Sequence, residues 1–368
     1  MRIRGADRGR ELTEDDVSDT TSAQPPSGPA GADDQARVEA AAAATEPVHR
    51  SRWALLARAG EVRKLGLLIV LAVLGAIGAF TAPNTFLQWA NVTNILTTAS
   101  VIGVVSVGMT FVIIGGGIDL SVGALVALAG VWSTTVATQS YGTFGIIFTS
   151  LAVASAAGLV NGILIAYGRL VPFIITLAML VTARGVAEQI SDRKSQIVTV
   201  GSITSLAEKN FLGLRMLVWI LLVVTAVGWV VLNRTTFGRR TFAIGGNAEA
   251  ARLAGIDVRR HAMLLYVVSG FCCGIAALML VARTNTGASS AGNLYELDSI
   301  AAVIIGGTLL TGGRGSIIGS LLGVLVFTTI TNIFVLNNLS TPAQEIAKGL
   351  IIVAAVLLQR RTQARSSP

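Results

Sequence analysis

LGLLIVLAVLGAIGAFTA, residues 65–82, is 18 residues long and carries no charge. As a helix rising 1.5 Å per residue it reaches about 27 Å, close to the roughly 30 Å hydrocarbon layer of a bilayer. The rest of the chain repeats the pattern. Further apolar stretches fall near 95–114, 120–138, 144–167, 171–190, 212–233, 262–282, 297–311, 316–336 and 343–359. These predict an all-α integral membrane protein of about ten transmembrane helices. Composition agrees: 52% of the 368 residues are hydrophobic and 13% charged, with 40 glycines. The mean hydropathy is +0.69. That balance lies outside the range of soluble globular chains.

Charge then orients the spans. Lys and Arg total 28 against 20 Asp and Glu, a net charge of +8. Interleaved basic and aromatic stripes are missing, which argues against nucleic acid as a partner. The excess reads instead as topology, because short cytoplasmic loops retain basic residues. With both termini cytoplasmic, the inner connections hold Arg169, then Arg234, Arg239, Arg240, Arg252, Arg259 and Arg260, then Arg314, then Arg360, Arg361 and Arg365. The outer loops are sparser and mixed. Miscounting by one helix would split the basic clusters between the two sides.

Three regions follow. Residues 1–60 form a cytoplasmic tail, disordered by its composition, with a basic juxtamembrane segment (Arg50, Arg52, Arg58) continuing into Arg63 and Lys64. Val38–Ala44 is a weak helix candidate within that tail. Residues 61–362 form the transmembrane domain, interrupted by a cytoplasmic loop at 234–260, and 363–368 are a short C-terminal tail. No secretory signal fits, since the first apolar segment lies behind some sixty polar residues.

Polar residues inside spans are the natural candidates for function, since a charge at a helix centre costs roughly 2.5–3.5 kcal/mol on insertion scales. Arg184 and Glu188, four apart on one span, suit an internal ion pair or a substrate contact. Asp119, in GGGIDLS, suits capping of the next helix after a glycine break. Glu296 and Asp298 begin a span, and Glu345 with Lys348 suit a pair near the outer end of the last one. No chain of acids and histidines crosses the spans as a proton relay requires; His49 and His261 lie outside or at the edge of the apolar core. GGRGSIIGS lacks the lysine of a phosphate-binding loop. Neighbouring Cys272 and Cys273 suit packing rather than a disulfide framework or a metal site. Gly158 with Gly162, and Gly312, Gly315, Gly319 and Gly323, suit close helix contact or sliding seams. GGIDLSVGAL (116–125) and GGRGSIIGSL (312–321) echo each other through Gly116, Gly117 and Gly123 against Gly312, Gly313 and Gly319.

The inner loop contains GGNAEAARLAG, residues 245–255. Asn247 is a strong N-cap, Glu249 sits by the positive end of the helix dipole, Ala250 and Ala251 are good helix formers, and Gly255 suits a left-handed stop. About two turns result, too short to stand alone in water. The element must therefore rest on lipid heads or dock on a soluble partner.

Here the chain resembles a known family. Glu249, Ala250, Ala251 and then Gly255 are similar to the coupling-helix signature of ABC importer permeases, and FGRRTFAIGGNAEAARLAGIDV resembles the ribose- and xylose-type monosaccharide permeases. GMTFVIIGGGIDLSVGAL (108–125), GLVNGILIAYGRLVPFIITLAML (158–180) and YELDSIAAVIIGGTLLTGGRGSIIGSLLG (295–323) follow the same pattern in order, over roughly residues 60–360. The long N-terminal tail departs from it. The resemblance implies an ABC importer permease fold in the cell membrane, a homodimer that receives a monosaccharide from an extracellular solute-binding protein. It implies no cofactor on this chain; ATP and magnesium belong to a separate ATPase subunit, and the chain itself is not an enzyme. It implies that Gly245, Gly246, Asn247, Glu249, Ala250, Ala251 and Gly255 form the ATPase dock. Gly117, Asp119, Asn161, Phe173 and Thr176 would line or brace the pathway. Nucleoside, inositol or autoinducer cargo, and an ion-coupled secondary carrier, are the alternative readings.

Overall fold

A computed structural model describes the backbone of residues 48–364 and the side chains of 64–357. Of the tail expected over residues 1–60, residues 1–47, including Val38–Ala44, lie outside the described residues, while 48–60 are helical backbone rather than disordered; the side chains of His49 and of the juxtamembrane arginines are also outside the described residues. The helices are α1 (Val48–Thr81), α2 (Trp89–Ile114), α3 (Val122–Ser133), α4 (Val136–Gln139), α5 (Gly142–Ala166), α6 (Pro172–Ser191), α7 (Gly201–Glu208), α8 (Met216–Arg234), α9 (Thr236–Gly246), α10 (Ala248–Leu253), α11 (Val258–Thr284), α12 (Tyr295–Ile305), α13 (Ile317–Leu336) and α14 (Thr341–Ala364).

Among the described residues, seven helices are long and apolar enough to cross a membrane: α1 from Lys64, α2, α5, α6, α8, α11 and α13. The apolar stretches near 120–138 and 297–311 correct the expectation of uniform spans. They fold as α3, 12 residues long, and α12, 11 residues long. At 1.5 Å per residue these rise only about 17–18 Å. At the end of α3 hydroxyls take up its last carbonyls: Ser133 Oγ donates to the Gly130 carbonyl at 2.9 Å, Thr134 Oγ1 to the Gly130 and Val131 carbonyls at 2.9 and 3.0 Å. Thr135 then accepts from the Thr138 amide and starts α4. Beyond α12 the backbone turns at Gly307, φ +105°. Such breaks are tolerated in a membrane protein where other helices enclose them. Eleven of the 12 residues of α3 are buried, as is most of α12.

The core is built around α2, which is buried continuously from Ala99 to Ile114. An all-round apolar helix needs neighbours on every side, and α8, α11, α12 and α13 supply them. α5 lies along α11 on a seam of small residues: a Cβ at Gly162 would sit 2.6 Å from the Met263 carbonyl oxygen, and one at Gly158 or Gly270 would fall on the carbonyl of Tyr266 or Ala154. Gly319 and Gly323 play that part between α13 and α12, against Gly306 and Ala302. Gly312 and Gly315 do not share their helical face, because α13 begins only at Ile317.

At the end of α11 opposite α10, two short antiparallel pairs form. β1 (Gln196–Ile197) pairs with β4 (Thr286–Gly287), and β2 (Asn210–Phe211) pairs with β3 (Leu214–Arg215). Gln139 ties α4 to this cap, donating to the Ile197 carbonyl at 3.0 Å and accepting from the Thr199 amide at 2.8 Å.

Candidate functional site

α10 is closed at both ends by the residues its sequence offers. Asn247 Oδ1 accepts from the Ala250 amide at 2.9 Å. At the far end Gly255 takes φ +81°, its amide donating to the Arg252 carbonyl at 3.0 Å and the Ile256 amide to the Ala251 carbonyl at 3.1 Å. That is a Schellman stop. Asp257 caps α11 directly afterwards, accepting from the Arg260 amide at 3.0 Å. Most of the end groups of this six-residue helix are thus satisfied locally, so it keeps its shape without a long helical body.

One face of α10 turns inward and the rest turns to solvent. Ala251 is buried, whereas Leu253 is 77% exposed. Glu249 and Arg252 form an exposed ion pair at 2.6 Å. The hydrogen bond from Arg252, and then its charge, hold the Glu249 carboxyl below the usual carboxylate range. Gly245 and Gly246 do not belong to α10, because they close α9 ahead of it. α9 is seated on the core: Thr241 Oγ1 lies 2.8 Å from His261 Nε2, and the Phe237 ring stands 4.5 Å from the His261 ring and 6.1 Å from that of Phe111. The exposed ion pair and aliphatic tip offer recognition chemistry on a rigid mount.

A second site surrounds the break between α2 and α3. α2 ends in its own Schellman stop, with Gly116 at φ +85°, the Gly116 amide on the Ile113 carbonyl and the Gly117 amide on the Val112 carbonyl, both at 2.9 Å. Asp119 fills the gap that follows. Its Oδ1 accepts from the Ser121 amide at 3.0 Å and hydroxyl at 2.6 Å, and its Oδ2 accepts from Ser269 Oγ on α11 at 2.8 Å. Asn161 Nδ2 on α5 donates to Ser121 Oγ at 3.0 Å. A fully buried carboxylate needs such donors to offset its lost hydration. A Cβ at Gly117 would meet the Tyr266 hydroxyl at 2.6 Å. Thr176 Oγ1 donates to the Pro172 carbonyl at 3.0 Å and lies 3.4 Å from that of Ile118. Gly117, Asp119, Asn161 and Thr176 therefore converge on one broken segment. Asp119, Asn161 and Thr176 are fully buried, while Phe173, on the first turn of α6, is 51% exposed.

The expected pair between Arg184 and Glu188 gives way to other partners. Arg184 Nη1 donates to the Ser289 carbonyl and, at 2.8 Å, to that of Ala291. Glu188 binds Arg193 at 3.0 Å. Helical spacing permits an i,i+4 pair, but the loop before α12 offers Arg184 bare carbonyls. Likewise Lys348 reaches Asp298 at 3.2 Å rather than Glu345, and its ammonium lies 5.3 Å from the centre of the Phe327 ring. Sequence reading missed these long-range partners. The only signal for them was that Asp298 and Lys348 are opposite charges in otherwise apolar surroundings.

The model of the family described as branched-chain amino acid transport system / permease component matches residues 91–356. The chain is 37% identical over 308 residues to the ribose import permease protein RbsC of Bacillus subtilis (strain 168), covering 83% of this chain and 95% of that protein. It is 38% identical over 308 residues to RbsC of Escherichia coli (strain K12), covering 80% and 93%. To the L-arabinose transport system permease protein AraH of the same strain it is 37% identical over 306 residues, covering 81% and 90%. No solved structure matches the chain at a significant level.

Proposed function

The chain belongs to the branched-chain amino acid transport system / permease component family, and from that premise we propose that it is the membrane permease subunit of an ATP-driven importer for a monosaccharide. The cargo class rests on its extensive likeness to ribose and L-arabinose permeases. Two copies enclose the pathway, and an extracellular solute-binding protein delivers the sugar at the β1–β4 end. ATP and magnesium bind to a separate ATPase subunit at the α10 end. Both termini and the 234–260 segment are cytoplasmic, which the run of arginines from Arg234 to Arg260 supports. The ten membrane elements are then the seven long helices, α14, and α3 and α12, which reach only about half-way across.

One observation carries the reading. α10 is a pre-capped, solvent-facing peg whose Glu249 and Arg252 pair with each other and whose Leu253 stands exposed. The ATPase's nucleotide-bound and free states would engage it differently, and that difference in contact energy is what drives alternating access. Asp119, Asn161, Thr176 and Gly117 brace the broken segment beside the pathway. The test is Glu249→Lys. It places two like charges at i,i+3 and removes the carboxylate from the docking face; the expected result is loss of ATPase co-purification or of uptake, with membrane insertion retained. Full assembly and full uptake would overturn the docking role.

A further inference from the structure

Three segments remote in sequence meet backbone to backbone just before α10. The break after α2 contributes Gly116, φ +85°; the connection between α12 and α13 contributes Gly312 and Gly313, φ +82° and +72°; α9 contributes Gly245. The Gly313 amide donates to the Ile114 carbonyl at 2.8 Å. A Cβ at Gly245 would fall on that same carbonyl oxygen and 2.6 Å from the Gly313 nitrogen. One at Gly312 would lie 2.9 Å from the Gly245 carbonyl oxygen and 3.0 Å from Gly116 Cα, and one at Gly313 would lie 2.8 Å from Gly246 Cα. Backbone therefore excludes a side chain at Gly245, Gly312 and Gly313; at Gly116 a Cβ would lie 3.9 Å from Gly245 Cα, and it is the left-handed φ that favours glycine there.

The consequence is mechanical. Where side chains intervene, rotamer changes absorb small displacements; close-packed backbone has no such slack and passes strain on. Asn247, the cap of α10, follows Gly246 directly. On the other side of the junction, residues 115–121 lead into α3, and residues 306–316 link α12 to α13. The half-helices also touch each other, since a Cβ at Gly123 on α3 would lie 2.5 Å from Glu296 Oε2 on α12 and would fall on the Gly292 carbonyl. The shared left-handed turn at Gly116 and Gly312 thus has a use: each places its loop against the same point on α9.

We propose that the junction of Gly116, Gly245, Gly312 and Gly313 is the transmission point through which a displacement of α10 reaches α3 and α12 together. Gly245, half-buried, is a positioning residue here, acting between the dock and the half-helices rather than on the ATPase. The inference rests on α10 being the ATPase dock, and its test separates the two ideas. In the reconstituted complex with the ATPase subunit, spin-label distances are taken from Val227→Cys on α8 to Leu253→Cys on α10, to Trp132→Cys on α3 and to Leu297→Cys on α12, all exposed positions. A non-hydrolysable ATP analogue shifts all three distances in the parent protein. In Gly245→Ala only the Leu253 distance shifts, ATPase co-purification is unchanged, and uptake falls about 5- to 150-fold, the range of typical coupling energies. Gly201→Ala, where a Cβ meets nothing within 4 Å, keeps parental uptake.

Normal uptake in Gly245→Ala, or a parent protein in which only one half-helix responds, overturns the junction while leaving the dock standing. A Leu253 distance indifferent to nucleotide overturns the dock and the junction with it. If Gly245→Ala fails to assemble, the parental distances decide: joint movement of α3 and α12 supports the junction, and separate movement refutes it.

Discussion

Replacing Lys348 by Met tests whether α12 and α14 are held together by a largely buried ion pair. Lys348 Nζ lies 3.2 and 3.3 Å from the Asp298 oxygens, and the two side chains are only 19% and 9% exposed. At an effective dielectric of about 20 the attraction at this distance is about 5 kcal/mol. Most of that offsets the dehydration of both ions, so the net value of the intact pair is small. Removing one partner is different, because Asp298 then stays buried without compensation, at about 3–5 kcal/mol. Loss of the ammonium from the face of Phe327 adds about 0.5–2 kcal/mol. Lys348→Met is therefore expected to destabilise by several kcal/mol, and Asp298→Asn with Lys348→Met to recover most of the loss. The assay is reversible unfolding in mixed micelles for the parent, the two single variants and the double variant, which yields the coupling energy. A Lys348→Met protein within about 1 kcal/mol of the parent, or losses that simply add, would refute the argument.

Asn247→Ala removes the cap of α10 and is expected to cost about 1 kcal/mol of local helix stability, read as faster amide exchange across residues 248–253 and weaker ATPase co-purification. Gly158→Leu forces α5 from the Tyr266 carbonyl on α11; overpacking of this kind costs about 1–3 kcal/mol or more, measured as a lower thermal midpoint in detergent. Because the Glu249 carboxyl is held below its ordinary value of 4.5, its support of α10 is complete above that value. It is lost as pH falls through the lower, folded-state value. Protection of the 248–253 amides, corrected for intrinsic exchange, is expected to stay flat from neutral pH down to that range and then to drop, with Glu249→Gln lacking the step.

Legibility in the sequence followed the range of the interaction. α10 was readable almost completely, because Asn247, Glu249 and Gly255 act within a few residues of themselves, and capping chemistry is local. The apolar stretches were located well for the same reason, as each is a local excess of hydrophobic residues. Their lengths were not. Hydropathy registers apolar composition, and α3 and α12 are as apolar as full spans; it does not register that α3 ends ahead of Thr134 and Thr135 or that the chain turns at Gly307. The polar residues split along the same line. Asp119 was expected to serve the helix that follows it and does accept from the Ser121 amide, yet its bond to Ser269 spans 150 positions and left no trace in the local pattern. Arg184 and Lys348 were assigned partners on their own helices because those are the pairs that spacing can suggest. Their actual partners lie 105 and 50 residues away. The glycine echo is visible as letters, whereas the approach of Gly116 and Gly312 to Gly245 is a contact that only folding creates.

The proposed dock is open to direct measurement at Leu253, 77% exposed on α10. A photo-crosslinking residue there, in cells expressing the whole transport system, is predicted to capture the ATPase subunit, and Leu253→Cys is predicted to resist membrane-impermeant thiol reagents added outside. Labelling of that cysteine from the exterior, or crosslinks to lipid alone with the ATPase subunit present, would contradict the account.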